Sequence, residues 1–231
     1  MKRIAQLAGL VLMLGALCFA QGEVLDRVIA VVNDTPIFQS DWEVALRCEA
    51  MLNSREPESF TPEEQRDVFN RMVDQELIRQ QIRGFLMTPV SDGDVLAKMK
   101  EVRSQFPGAE SDKRWRAMLE QHGITESEFR ARIRNQVEIL RFLELRLRPL
   151  VRVDFRTVSN YYREQYLPEV RKQGGKEQPL NEVSGKIREI LTQQRMDEQV
   201  AVWLQTLRES AVIEFSPPAA DTQDQQGNES K

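Results

Sequence analysis

The chain carries one histidine, His122, beside Gly123. Any Ser–His–Asp or Cys–His nucleophile would be built on it, because that chemistry needs an imidazole within hydrogen-bond reach of the nucleophile and a third group to orient it. A His-Gly pair instead has the form of a helix end, where the imidazole meets unpaired carbonyls. No Cys/His cluster has metal-ligand spacing, and Gly174-Gly175 lacks the strand and helix that flank a phosphate-cradling loop. Carboxylates are plentiful, with 36 Asp and Glu, but nothing in their spacing pairs two of them across a cleft. The sequence therefore predicts no catalytic residues, no metal and no cofactor.

Binding residues are more prominent. Met51, Met72, Met87, Met99 and Met118 are spread over one region together with Phe60, Phe106 and Trp115. Methionine repacks at low cost, so it serves equally as core filler and as the lining of surfaces that accept varied apolar partners. Both uses remain open from sequence. The candidate groove residues are Met51, Phe60, Met87, Phe106, Trp115 and Met118.

The elements that would position them are mostly helices. Thr61-Pro62-Glu63-Glu64 is a helix start with a capping box, and no Gly or Pro follows until Gly84. Val68, Phe69, Met72, Val73 and Leu77 mark one side of this helix; Ile78, Ile82, Phe85 and Leu86 lie on another, as expected of a central helix with different neighbours at its two ends. Before it, Val24 to Val32 and Ile37-Phe38 read as a hairpin around the turn residues Asn33 to Pro36, and Ser40 with Glu43 reads as a capping box for a helix containing Trp42, Leu46 and Met51 or Leu52. After it, Ser91 caps a helix with Val95, Met99, Val102 and Phe106, and a short helix holds Trp115, Met118 and Leu119. Thr125 and Glu128 open a long helix with Phe129, Ile133, Val137, Leu140 and Leu147 on one face. Its other face carries Arg130, Arg132, Arg134, Arg141 and Arg148 among Glu138 and Glu144, the pattern of a solvated face with local ion pairs. A further helix is expected near Val158, a linker over 167–180, a helix over 181–210 and a strand at Val212 to Phe215.

Residues 1–20 have the layout of a secretory signal peptide: Lys2 and Arg3, an apolar run from Leu7 to Leu17, and Cys18-Phe19-Ala20. Leu17 stands where a lipid-attachment signal requires a small residue. The run is too short for an ordinary membrane span. Net charge is −4 at pH 7, and removing the leader makes the chain more acidic, which argues against a nucleic-acid partner. Removal also leaves Cys48 alone, so no intramolecular disulfide forms and the fold depends on its core. Residues 216–231 read as a disordered tail.

Taken in order, several segments resemble the SurA family of periplasmic chaperones. They are Asp26-Arg27-Val28-Ile29-Ala30-Val31-Val32-Asn33-Asp34 with Ile37 and Ser40-Asp41, then Arg71-Met72-Val73-Asp74-Gln75-Glu76-Leu77-Ile78. Ile124-Thr125-Glu126-Ser127-Glu128-Phe129-Arg130 with Ile133-Arg134 follows, and the end matches in Pro179-Leu180-Asn181-Glu182-Val183, Ile187-Arg188, Trp203-Leu204, Leu207-Arg208 and Ala211-Val212-Ile213. The resemblance implies a mostly helical chaperone domain over residues 21–166, with a C-terminal helix and strand (181–215) folding back to complete a small antiparallel sheet. Family members carry parvulin prolyl isomerase domains between the long helix and the C-terminal helix; here the interval is too short for one, at under ~30 residues. The implied function is an ATP-independent holdase in the periplasm whose partners are unfolded polypeptides such as outer-membrane protein precursors. The alternatives are a dedicated assembly partner in an envelope complex and a family member with residual isomerase activity. Oligomeric state is not legible.

Overall fold

The computed structural model describes residues 26–216, so the leader expected over 1–20 and the tail beyond Ser216 lie outside the described residues. Strand β1 (Val28–Val32) and strand β2 (Thr35–Phe38) form an antiparallel hairpin with Val32 opposite Thr35. Asn33 begins the two-residue turn with φ 54°, a left-handed conformation that asparagine tolerates better than other side chains. Strand β3 (Ile213–Phe215) pairs antiparallel with the other edge of β1, with Val32 opposite Ile213, giving the order β2-β1-β3. The expected sheet between the two ends of the chain is present.

Eight α-helices fill the chain between the hairpin and β3: α1 (Gln39–Leu52), α2 (Pro62–Arg83), α3 (Asp92–Arg103), α4 (Asp112–Gln121), α5 (Glu126–Leu147), α6 (Phe155–Tyr161), α7 (Leu167–Lys172) and α8 (Leu180–Ser210). Capping boxes open α2, α3 and α5 at Thr61/Glu64, Ser91/Asp94 and Thr125/Glu128. The box expected at Ser40 and Glu43 does not form. Helix α1 begins two residues earlier, with Phe38 as its N-cap, because the amide and hydroxyl of Ser40 are taken by the carboxylate of Asp26 across the hairpin end, while Glu43 accepts from Gln39.

Helix α2 is central, and its apolar positions meet three sets of neighbours. Val68 packs with Ala45, Leu46, Ala50 and Phe60. Val73 and Leu77 pack under the sheet with Ala30, Val32 and Ile37, joined by Leu207 and Ile213 from the C-terminal return. Ile78 packs with Ile139 and Phe142 of α5 and with Trp203 and Leu204 of α8. Leu86, expected on this apolar side, is 100% exposed: the helix has already ended at Arg83, and Phe85 turns back to meet Phe142 edge-on at 5.1 Å.

A second core lies between the far side of α1, α3, α4 and the first half of α5, around Trp115, Phe129 and Ile133. The buried side of α5 then rotates. Leu140, expected inside, is 48% exposed at the open groove between α5 and α3, whereas Ile139 and Phe142 are buried against α2 and α8. The stretch expected as a linker over 167–180 contains helix α7. A π-turn at Tyr162–Tyr166 leads into it, and this wider turn precedes Pro168, which has no amide to donate to the turn before it. Gly174, with φ 66°, reverses the chain into α8, whose Val183, Ile187 and Leu191 pack on Val158 of α6.

One polar knot ties three elements together. The Asn33 amide donates to the Val212 carbonyl at 2.7 Å, its Oδ1 accepts from the Val212 amide at 3.0 Å, and its Nδ2 donates to Gln80 of α2 at 2.6 Å. Gln80 donates to the Val32 carbonyl at 3.0 Å and to Glu76 at 3.1 Å. Glu76 is 2% exposed, and its carboxylate is neutralised by Arg79 at 2.9 Å and Arg83 at 2.7 Å.

Two measurements probe this frame. Leu77→Ala should lower the unfolding free energy by ~2–5 kcal/mol in urea titration, and a loss under ~0.5 kcal/mol would be inconsistent with its core position. Asn33→Gly retains the left-handed turn and removes the side-chain bonds, so it should cost ~1–2 kcal/mol. Asn33→Ala adds backbone strain of a further ~1 kcal/mol; equal urea midpoints for the two variants would show that the turn conformation is not what Asn33 provides.

Candidate functional site

The residues that could have carried nucleophilic chemistry are placed structurally. Cys48 is 1% exposed inside the α1–α3–α5 core, where burial pushes its thiol pKa up and keeps the sulfur protonated. His122 is the C-cap of α4. Among the described residues no group of His, Cys, Asp and Glu is arranged to hold a metal ion.

The six candidate groove residues do not converge on one surface. Met51 and Trp115 are each 1% exposed within the core built on α1, α3, α4 and α5, and Phe60 is buried between α1 and α2. These three fill interior space, which apolar side chains facing two or more helices do. Phe106 and Met118 are half-buried at the margin of the Trp115 core, and Met87 is half-buried against Phe142 in a different cluster.

Four of the five arginines read on the polar face of α5, all but Arg132, act as staples. Arg134 bonds Asp92 and the Val90 carbonyl, and Arg141 reaches Asp94 at 2.9 Å. Arg130 stands 3.7 Å from Asp92. Arg148, the C-cap of α5, joins Glu144 of that helix and, at 2.9 Å, Glu189 of α8. Most partners therefore come from other elements, not from the acids interleaved along α5, and these arginines are not free to hold phosphate. Hydrogen bonds from Ser91 and the guanidinium of Arg141 lower the Asp94 pKa to about 2.

Two open grooves flank α5. The one against α3, of about 390 Å³, is lined largely by charged side chains already engaged in pairs, among them Asp94, Lys98, Glu101 and Arg141. The one against α8, of about 440 Å³, is lined by Arg146, Leu147, Leu150, Val202, Trp203 and Thr206, with Gln199 at its margin. Leu150 and Val202 are 68% and 63% exposed, so apolar side chains face solvent across this groove. Trp203 forms its floor, packed on Phe142 at 5.8 Å, and the Arg146 guanidinium lies 5.4 Å from the Trp203 ring centre. The groove can hold an apolar side chain and offers one cation; it has neither a nucleophile nor an acid–base pair.

Helical periodicity missed Leu150 and Val202. Leu150 lies beyond Pro149, outside the long helix, and Val202 sits beside the buried Trp203–Leu204 pair. A signal for Arg146 was present: its helical neighbours three and four residues away are Phe142, Leu143, Pro149 and Leu150, none of them acidic.

These features define a helical module closed by a three-stranded sheet, with an open apolar groove between α5 and α8, its longest helix. The chain belongs to the SurA-like N-terminal domain family, whose sequence model matches residues 1–143. It is 30% identical over 149 residues to "Chaperone SurA" of Alkalilimnicola ehrlichii. That match covers 62% of this chain and 33% of the relative, so the chain spans about a third of that protein's length. Among solved structures it is similar in fold to one from a study of PEB4 and Cj1289, two structurally related SurA-like chaperones of Campylobacter jejuni. The TM-score is 0.50 at 9% identity, over 84% of this chain and 100% of that one.

The Asp94 geometry gives a pH prediction. A carboxyl held at about 2 in the fold, against 3.8 as its ordinary value, adds stability that is complete above pH ~4 and is lost as pH falls towards 2. Asp94→Asn should lower Tm at pH 7, and the gap to the parent protein should close by pH ~2 in a circular-dichroism melt series. A gap of constant size would show that the charge of Asp94 is not what stabilises the α3–α5 contact.

Proposed function

We propose that this protein is an exported, ATP-independent chaperone of the periplasm that holds unfolded polypeptides, outer-membrane protein precursors among them, in the groove between α5 and α8. The observation that carries this reading is the groove itself: exposed Leu150 and Val202 over a Trp203 floor, on a frame of packed helices belonging to the SurA-like N-terminal family. The relatives support it, since one is named a chaperone and the other two are described as SurA-like chaperones, Cj1289 as periplasmic. The leader-like layout of residues 1–20 supports export. Among the described residues no helix is long and apolar enough to cross a membrane.

The mechanism follows from magnitudes. An aromatic side chain buries ~150–250 Å², which at ~25 cal/mol/Å² gives a gross gain of ~4–6 kcal/mol. Ordering the segment and losing its translational freedom consume much of that. A single site then holds a segment weakly and lets it go on its own, with no nucleotide cycle. The interval between α5 and α8 holds α6, the π-turn and α7, which supports a reading in which holding is independent of proline isomerisation.

The test is light scattering from a urea-unfolded β-barrel protein diluted into buffer without ATP. The purified chain should suppress scattering at near-stoichiometric ratios. Leu150→Asp combined with Val202→Asp should abolish suppression while the far-ultraviolet circular dichroism is unchanged, and a proline-peptide assay should show only the uncatalysed rate. A folded chain that fails to suppress scattering would overturn the holdase reading in favour of a dedicated assembly partner.

A further inference from the structure

We infer that the α5–α8 groove selects apolar segments that carry a side-chain carboxylate, with Arg146 as the anchoring cation. This rests on the reading that the groove holds unfolded polypeptide, and it adds the chemistry by which one segment is preferred over another.

The argument begins with the partners of the arginines on α5. Arg130, Arg134, Arg141 and Arg148 each reach a carboxylate. Arg132 and Arg146 reach none, and of these two only Arg146 lines the groove. Among the described residues it makes no hydrogen bond and no ion pair; its contacts are the ring faces of Phe142 at 5.9 Å and Trp203 at 5.4 Å. All five of its N–H donors are therefore unused by the protein.

The second observation is the surroundings. The rest of the groove lining, Leu147, Leu150, Gln199, Val202, Trp203 and Thr206, is uncharged. Arg146 is thus a single positive charge at the edge of an apolar trough. Contact with two aromatic rings limits the motion of the guanidinium, so less freedom is lost when it binds, and the planar fork of donors matches a carboxylate with two parallel hydrogen bonds. The complementary occupant is an extended chain segment in which Asp or Glu stands within a few residues of aliphatic or aromatic side chains. The apolar groups would cover Leu150, Val202 and Trp203 while the carboxylate meets Arg146. A basic segment of equal hydrophobicity would place like charges together in a partly desolvated site and be rejected.

The experiment is fluorescence anisotropy with the full chain and labelled dodecapeptides, acetylated and amidated at their ends. These carry Leu and Phe at alternate positions and one central Glu, Gln or Lys. The Glu peptide should bind about tenfold more tightly than the Gln peptide, the scale of one charge-assisted bidentate contact, and the Lys peptide more weakly still. Arg146→Gln should abolish the Glu-over-Gln preference, bringing the two peptides to equal affinity; the residue is exposed, so the fold should tolerate the change. Equal affinity for Glu and Gln peptides, or a preference that survives Arg146→Gln, overturns the inference. A Gln peptide with a free C-terminal carboxylate should bind no better than its amidated form; binding equal to the Glu peptide would overturn the assignment to side-chain carboxylates. Failure of the groove reading has a different signature. It would leave Leu150→Asp with Val202→Asp binding every peptide as the parent does, whereas loss of all peptides in that variant, with Glu and Gln equal in the parent, would sink the carboxylate preference alone.

Discussion

Closure of the chain upon its own beginning is the constraint on which the rest depends. Val212 and Asn33 exchange hydrogen bonds across 179 residues of sequence. Closing a loop of that length costs about 5 kcal/mol of chain entropy, and the cost would hardly grow with a longer insertion. Hydrogen bonds at Asn33 do not offset this alone, at ~1 kcal/mol each. The larger share comes from Leu207 and Ile213 packing under the sheet beside Val73 and Leu77. Arg208 adds a contact to Asp74 at 2.6 Å and to the Asn70 carbonyl at 2.9 Å. The polar contacts set the register of this return, and apolar burial supplies most of the energy.

The groove exists because of that closure. With the C-terminal end of α8 fixed at the sheet, Trp203 and Leu204 are carried against Phe142 and Ile78. The N-terminal end of α8 packs on Val158 instead, in the hairpin formed with α6. Between these two attachments the helix runs past the end of α5, where Pro149 has stopped the helix and Leu150 has no neighbour to cover it. The trough from Gln199 to Thr206 is therefore a by-product of two packing sites on one 31-residue helix. The small insertion between α5 and α8 leaves this trough intact, because Val158, Tyr161, Tyr162 and Tyr166 pack instead on Val183, Ile187 and Leu191 at the N-terminal end of α8.

What was legible in the sequence is what is decided locally. The capping boxes at Thr61 and Thr125, the helix start at Ser91, and the β-branched run Val28 to Val32 depend on residues a few positions apart, and each appears where expected. The resemblance supplied the pairing of β3 with β1, which no local pattern encodes. The errors fall where a distant partner decides. Ser40 is taken by Asp26 rather than by its own helix. Leu140 is exposed at the open groove between α5 and α3. Pro168 reads as a breaker but follows a π-turn that accommodates it. The methionines and aromatics were identified by type, and type does not distinguish a core from a groove. Met51 and Trp115 have helices on every side, whereas Val202, a less conspicuous residue, has solvent on one.

The exposure pattern also bears on how such a frame would hold a long chain. A groove that accommodates a few side chains yields millimolar to micromolar affinity at best, since a net ~4–8 kcal/mol corresponds to that range. Yet Leu86, Leu96, Phe155 and Phe215 are exposed as well, on the α2–α3 connection, α3, α6 and β3. An unfolded polypeptide is long enough to touch several such places at once, and each contact after the first is made at the high effective concentration set by the connecting chain. Avidity then exceeds the affinity of any one contact, while each contact still breaks quickly. Weak, dispersed apolar exposure on a frame held by burial under the sheet, with its register set by the Asn33 hydrogen bonds, would thus allow retention without trapping, which one deep apolar pocket of the same total area would not.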